Sequence, residues 1–275
     1  MIVQETAVGS VGTLYRYPVK SMMGEELNSA MVGPKGIVGD RLFALSDPAT
    51  GKIASAKNPS KWPNLFAFHA TYTAPLESTS IPSVRITLPD GETVLSDAAD
   101  VEEVLSGSLG KPVRFLKGAP ASGTLEEYWP NIEGLARQDE VTDEAMPAET
   151  FFDVGIVHIL TTATMNELRR HYPEGRVEAR RFRPNLVIST PPDVTGFVEK
   201  DWIGKVLAIG DKVKFKITIP CGRCVMTTLA QADLPKDNGI LRTAVQHNNA
   251  HVGIYASVIS GGKIRRGDEV RLEDE

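Results

Sequence analysis

Both cysteines of this 275-residue chain stand three positions apart, Cys221 and Cys224, in "TIPCGRCVMTT", with Arg223 between them. Three chemistries fit such a pair. A redox couple is the first, but redox C-x-x-C pairs usually open a helix in a βαβ setting. Here the pair follows one strand-like run and precedes another, "VMTTL". A zinc site is the second. "HNNAH" offers His247 and His251 at i, i+4, which completes C-x2-C and H-x3-H. The turn-rich excursion "DLPKDNG" stretches the gap between the halves, and the histidines read equally well as polar surface in an Asn-rich loop. The third is a soft metal held by one thiolate, with Arg223 favouring the thiolate over the thiol.

A metal carried on an anionic organic cofactor needs cations elsewhere. "RVEARRFRPN" gathers Arg176, Arg180, Arg181 and Arg183 just ahead of Asn185. A solvated charged edge is the plain reading. Against it, "FRPNLVI" runs straight into an apolar strand, and arginine there suits bidentate phosphate contact. Thr161 and Thr162 precede a helix, where hydroxyls and free N–H groups make an anion site. "YPVKSMMG" places Lys20 and Ser21 at a strand end, and "GDRLFALSD" places Arg41 at a strand start.

The elements that must position these groups are mostly strands. In "KVKFKITI", Val213, Phe215, Ile217 and Ile219 alternate with lysines and Thr218, the pattern of a half-buried strand. "SVRITLPDGETVLS" reads as a hairpin about Pro89-Asp90-Gly91. Helices are expected over "SDAADVEEVLSGSLG" and "TTATMNELRRHYPEG", the second opened by a capping box of Thr164 and Glu167, with Arg169, Arg170 and His171 in its last turn. The Pro-, Gly- and acid-rich stretch from 116 to 155 reads as a linker or long loop. Many short strands and few helices favour a barrel or sandwich. The net charge of −5 provides no global field for nucleic acid or anionic lipid. No signal peptide and no apolar run of about 20 residues is evident, so no membrane partner and a cytoplasmic location are expected.

Taken together, these motifs resemble the MOSC-domain proteins, the family that includes molybdenum cofactor sulfurase C-terminal domains and the mitochondrial amidoxime-reducing component. "LYRYPVKSMMGEEL" and "GIVGDRLFAL" are similar to the β-barrel domain that precedes MOSC. "HILTTATMNELRR", "ARRFRPNLVI", "PCGRCVMTTL" and "GIYASVISGGKIRRGDEVRL" are similar to MOSC itself. The resemblance implies a mainly β protein with a few helices (α+β): an N-terminal β-rich domain over 8–120 and a β-barrel MOSC domain over 121–275.

It also implies a molybdenum–molybdopterin cofactor, with Cys224 as catalytic residue and metal ligand. Lys20, Ser21, Arg41, Thr162, Arg181, Arg183, Asn185 and Arg223 are the implied cofactor contacts. Cys221, His247 and His251 receive no role. After Cys224 the chain runs "TTLAQADLPKD", where eukaryotic members have an acidic "VDP" turn, which brings it closer to bacterial members. The implied activity is two-electron removal of oxygen from small N-hydroxylated substrates. With no further cysteines for an iron–sulfur cluster, the electrons are expected from an external ferredoxin-like or flavin reductase, and the protein is expected to be a monomer. The rival reading is a carrier of the cofactor or of sulfur, without turnover of a small substrate. A structural zinc protein stands behind both.

Overall fold

A computed structural model of the chain describes residues 5–76 and 81–273. Seven strands close into a barrel in the order Leu186–Ser189, Val157–Thr161, His251–Ser260, Val213–Gly222, Val206–Ile209, Glu269–Glu273 and Glu5–Arg16. The last pairs back on the first, Leu14 opposite Leu186. All pairings are antiparallel except that of Val157–Thr161 with Leu186–Ser189. Closure removes the free edges of the sheet. Inward side chains such as Leu14, Ile159, Ile188, Leu207, Phe215, Ile254 and Val270 fill the interior. Helices Thr162–His171 and Asn238–Asn248 cover one side, with Leu168, Phe182, Ile240 and Ala244 packed on Leu160 and Val252.

The N-terminal unit is built from short antiparallel ladders. Phe43–Ser46 pairs with Arg114–Lys117, and His69–Tyr72, Val84–Thr87 and Thr93–Leu95 form a three-stranded sheet that contains the expected hairpin. Helix Val101–Leu109 packs Leu105 into a core with Phe43, Trp62, Phe66, Phe68 and Ile86. The fold is mainly β with few helices, as the residues suggested.

Hydrogen bonding crosses the boundary expected at residue 120. The first strand, Glu5–Arg16, completes the C-terminal barrel, and Ser29–Gly33 pairs with Gly262–Arg265. The stretch expected to be a linker contains a second hairpin, Thr124–Trp129 with Glu140–Ala145. That hairpin is joined to the N-terminal unit through Ile53 and Leu125, within a small core of Ala44, Ile53, Leu125, Met146 and Phe151. Two of its acids are paired rather than solvated: Glu127 accepts from Lys57 at 2.9 Å, and Glu126 pairs with Lys61 at 2.9 Å.

Two further expectations change. The helix at 162 is capped by Thr161, whose hydroxyl accepts from the Thr164 N–H at 3.1 Å. Glu167 turns away from the N-terminus to Arg170 and His171, so there is no capping box at Thr164. In the strand Val213–Gly222, Ile217 faces the core but Ile219 is exposed, because the register with its neighbour shifts between them. A bulge of this kind re-aims one side chain.

Candidate functional site

Arg183 closes the one-turn helix Ala179–Phe182 in the left-handed conformation, φ 53°. Ser21 and Arg41 share that conformation at φ 63° and 48°, as do Asn249 and Ala250. All five line one cleft of about 490 Å³ between the barrel and the N-terminal unit. Non-glycine residues cost energy there and persist only where the surrounding structure holds them.

Lys20, Ser21, Arg41, Arg183, Asn185, Arg223 and Cys224 all line this cleft. They are separated by up to 204 positions in sequence, and buried hydrogen bonds bring them together. Asp40 is the hub on one side. Its carboxylate accepts from the Tyr17 N–H at 2.7 Å, from Asn185 Nδ2 at 2.9 Å and from Arg41. Asn185 Oδ1 in turn accepts from the His158 N–H at 3.1 Å. The Tyr17 ring carries both guanidiniums, with Arg183 at 4.1 Å and Arg41 at 4.9 Å from its centroid.

Asp153 is the hub on the other side, between Lys20 and Lys57. Lys20 also donates to the Phe151 carbonyl at 2.8 Å. Burial pulls the Lys20 ammonium below its usual range, with Asp153 opposing. Burial also works against the Asp153 carboxylate, but the charges of Lys20 and Lys57 outweigh it and hold the acid well below its ordinary value. Lys57, Glu127 and Asp153 were invisible in the sequence, since Lys57 and Glu127 sit in polar stretches with no motif and Asp153 is a lone acid in the apolar run "FFDVGIV".

The lining holds five cations, Lys20, Arg41, Lys57, Arg183 and Arg223, against two carboxylates, Glu127 and Asp153. A chain of net charge −5 thus keeps a cationic cleft. Nη2 of Arg183 is buried without a partner, and so is Nε of Arg223. Burial, with Arg41 adding like charge and Tyr17 opposing, brings the Arg183 guanidinium down to about 10. Buried donors left open in this way are an invitation to an anionic acceptor.

Cys224 is the N-cap of the short turn Val225–Thr228, and that turn is fixed by Met226, which inserts into the N-terminal core. Burial, reinforced by Glu127, pushes the Cys224 thiol up to about 12. Cys221 behaves in the opposite way. Its Sγ takes Nη1 of Arg223 at 2.7 Å, while Nη2 of Arg223 donates to the Phe182 carbonyl at 2.8 Å. Burial disfavours this thiolate too, but Arg223 and then His158 outweigh it and bring Cys221 down to about 6. Gly253 gives His158 its room, for a Cβ there would lie 2.4 Å from Nε2.

Two expected contacts lie elsewhere. Arg181 is fully buried and donates to the carbonyls of Arg176, Thr227, Leu229 and Pro235, so it clamps backbone. Thr162 bonds Thr190 at 3.0 Å. The helix N-terminus expected to bind an anion is already occupied by the chain itself: the buried Glu199 carboxyl, whose pKa is raised by desolvation, accepts from the hydroxyls of Thr161 and Thr164. Arg176 and Arg180 pair with Glu178 and Asp233 at the surface. The four residues of the zinc reading form no cluster with a third ligand among the described residues. His247 stacks on His171 instead, with centroids 3.6 Å apart.

A closed barrel joined to a small β unit thus holds a lone cleft thiol among cations. The MOSC domain profile matches residues 150–271, and the MOSC N-terminal beta barrel domain profile matches residues 8–111. The chain belongs to the MOSC-domain proteins. Among curated relatives, mitochondrial amidoxime-reducing component 1 of Homo sapiens is 28% identical over 234 residues, 81% of this chain and 66% of the relative. Mitochondrial amidoxime reducing component 2 of Bos taurus is 25% identical over 305 residues, 96% of this chain and 83% of the relative. The chain therefore spans about two thirds of the length of the human relative it matches. The crystal structure of the YUAD protein from Bacillus subtilis shares the fold at a TM-score of 0.50 and 14% identity, with 100% of each chain covered. No helix among the described residues is long and apolar enough to cross a membrane.

Proposed function

We propose that this protein is a molybdenum-dependent oxidoreductase that holds a molybdopterin cofactor in the cleft and reduces small N-hydroxylated compounds such as amidoximes. The observation that carries the reading is the meeting of the Cys224 thiol with the open Nη2 of Arg183 and four further cations in one cleft. These residues fit the group. Lys20, Ser21, Arg41, Arg183, Asn185 and Arg223 are the anion-holding set, and Cys224 is the metal ligand. The high pKa of the Cys224 thiol is no obstacle, since coordination to a metal deprotonates a thiol outright.

When bound, the cofactor supplies a two-electron redox centre that accepts oxygen. The balance is RC(NH2)=NOH + 2 e⁻ + 2 H⁺ → RC(NH2)=NH + H2O, with the electrons from a separate ferredoxin-like or flavin reductase in the cytoplasm. The protein's own share is positioning. Asp40 orients Arg41 and Asn185, Asp153 fixes Lys20, and Cys221 fixes Arg223, so that no cleft cation has to be ordered when the cofactor enters.

Turnover tests this. Protein produced in a cofactor-competent host should reduce benzamidoxime to benzamidine with reduced methyl viologen. Bound cofactor without turnover would favour the carrier reading. Cys221 lends that rival its acidic thiol, but the same thiol is fully buried, whereas a sulfur carrier needs an accessible one.

A further inference from the structure

The cleft changes character from floor to mouth. Its floor is polar and buried: Lys20 is 4% exposed, Arg183 6% and Asn185 1%. Its mouth is apolar. Val154 is 52% exposed and Ile219 45%, and the half-buried Trp129 and Leu135 line the same opening. A single exposed aliphatic residue is ordinary on a protein surface, but four large apolar side chains around one opening mark a binding surface.

They arrive from separate parts of the chain, and each is placed by a specific device. Ile219 belongs on the core side by strand alternation and is turned outward by the register shift after Ile217. Val154 follows Phe152 and Asp153, which are held by Arg41 and Lys20. Trp129 ends one strand of the hairpin and satisfies its indole N–H within it, on Thr142 Oγ1 at 2.9 Å. Leu135 lies in the connection between the hairpin strands. That connection is pinned to the helix Asn238–Asn248 by a small cluster of Ile132, Leu241 and Val245, with Leu135 at its edge. Gly134 permits the approach: its φ is 93°, and a Cβ there would come within 2.7 Å of Val245. The hairpin is thus a strap that carries two apolar groups to the mouth.

We propose that Trp129, Leu135, Val154 and Ile219 form the specificity surface of this site and select substrates with an aryl or branched alkyl substituent. This rests on the reading of the reaction above. The N-hydroxylated end of such a substrate enters toward Cys224 while its apolar part stays against the rim. Ligand sites commonly combine a few convergent polar groups with an apolar wall in this way.

The test compares an aryl and a methyl substrate. With cofactor-loaded protein and reduced methyl viologen, benzamidoxime should be preferred to acetamidoxime in kcat/KM. Ile219→Ala, at an exposed position where folding is not at stake, should lower that preference about tenfold, the usual effect of a few methylenes in an apolar site. A preference unchanged in Ile219→Ala, or absent from the parent, would overturn the proposal.

A second measurement does not depend on turnover. Trp62 and Trp202 are buried, so cleft-dependent tryptophan fluorescence comes from Trp129. Titration with benzamide, an aryl probe that cannot be reduced, should give a saturable change in the parent and about tenfold weaker binding in Ile219→Ala, matching the turnover ratio. No saturable change, or equal binding in the two proteins, would contradict the rim. If loaded parent protein reduces neither amidoxime, the reading of the reaction fails, while the benzamide titration still decides the rim.

Discussion

Arg223 Nη1 lies on the Sγ of Cys221, 2.7 Å away, and not on Cys224. The arginine between the two cysteines therefore charges the thiol that is fully buried and not part of the cleft lining. Cys221 is an anchor for Arg223, a role the sequence did not suggest.

That anchor should make stability depend on pH. Cys221 titrates at about 6 in the folded protein against 9.0 for a free thiol. Because the folded value is depressed, the thiolate's contribution is fully present above about pH 9 and is lost as pH falls toward 6. Melting temperatures of apoprotein taken from pH 9 to 6 should fall more steeply for the parent than for Cys221→Ser. Parallel curves would show that the ion pair contributes nothing.

Arg183→Ala should weaken retention of the cofactor. Charge-assisted hydrogen bonds contribute about 1.5–3 kcal/mol, which corresponds to roughly ten- to a hundredfold in affinity. Arg183→Lys should not restore it, since lysine lacks the planar group that lies over Tyr17 and keeps Nη2 open. Molybdopterin released per mole of protein is the readout, and unchanged occupancy in Arg183→Ala would remove this arginine from the site.

Asp40→Asn removes the charge that faces Arg41 and replaces an acceptor of Asn185 with an amide. Breaking a buried pair on one side costs about 3–5 kcal/mol. A urea midpoint lowered at constant slope should report this. A loss below about 1 kcal/mol would mean that the Asp40 network does not hold the floor of the cleft.

The double variant His247→Ala, His251→Ala should melt close to the parent, because a stacked surface histidine and a half-buried one carry no metal in this reading. Surface substitutions of this kind usually shift stability by about 0.5 kcal/mol or less. A collapse in stability accompanied by loss of one bound zinc would reopen the zinc site.

How far the sequence revealed this arrangement varies by residue. Val213, Phe215 and Ile217 announced their strand because alternation is local, but Ile219 broke the pattern because a bulge depends on the partner strand. Arg183 and Asn185 stood out by their place at the mouth of an apolar strand. Arg181 looked the same in sequence and went to backbone carbonyls, since the turn at 179–182 sends neighbouring side chains in different directions. Thr162 lies outside the cleft, at a helix start where the Thr161 and Thr164 hydroxyls already bond the buried Glu199, 37 positions away. The hairpin at 124–145 was hidden by its acids. They read as solvated loop composition, yet Glu126 and Glu127 are the partners of Lys52, Lys57 and Lys61. Long-range pairing of charge leaves no periodic trace along the chain.

The central claim is that Cys224 holds a molybdenum centre, and metal analysis tests it most directly. Parent, Cys221→Ser and Cys224→Ser proteins would be produced in a cofactor-competent host and analysed for molybdenum per chain, with circular dichroism confirming the fold of each. The account predicts about one molybdenum in the parent, retention in Cys221→Ser and loss in Cys224→Ser with the fold intact. A folded Cys224→Ser protein that keeps its molybdenum, or a parent that binds none, would contradict it.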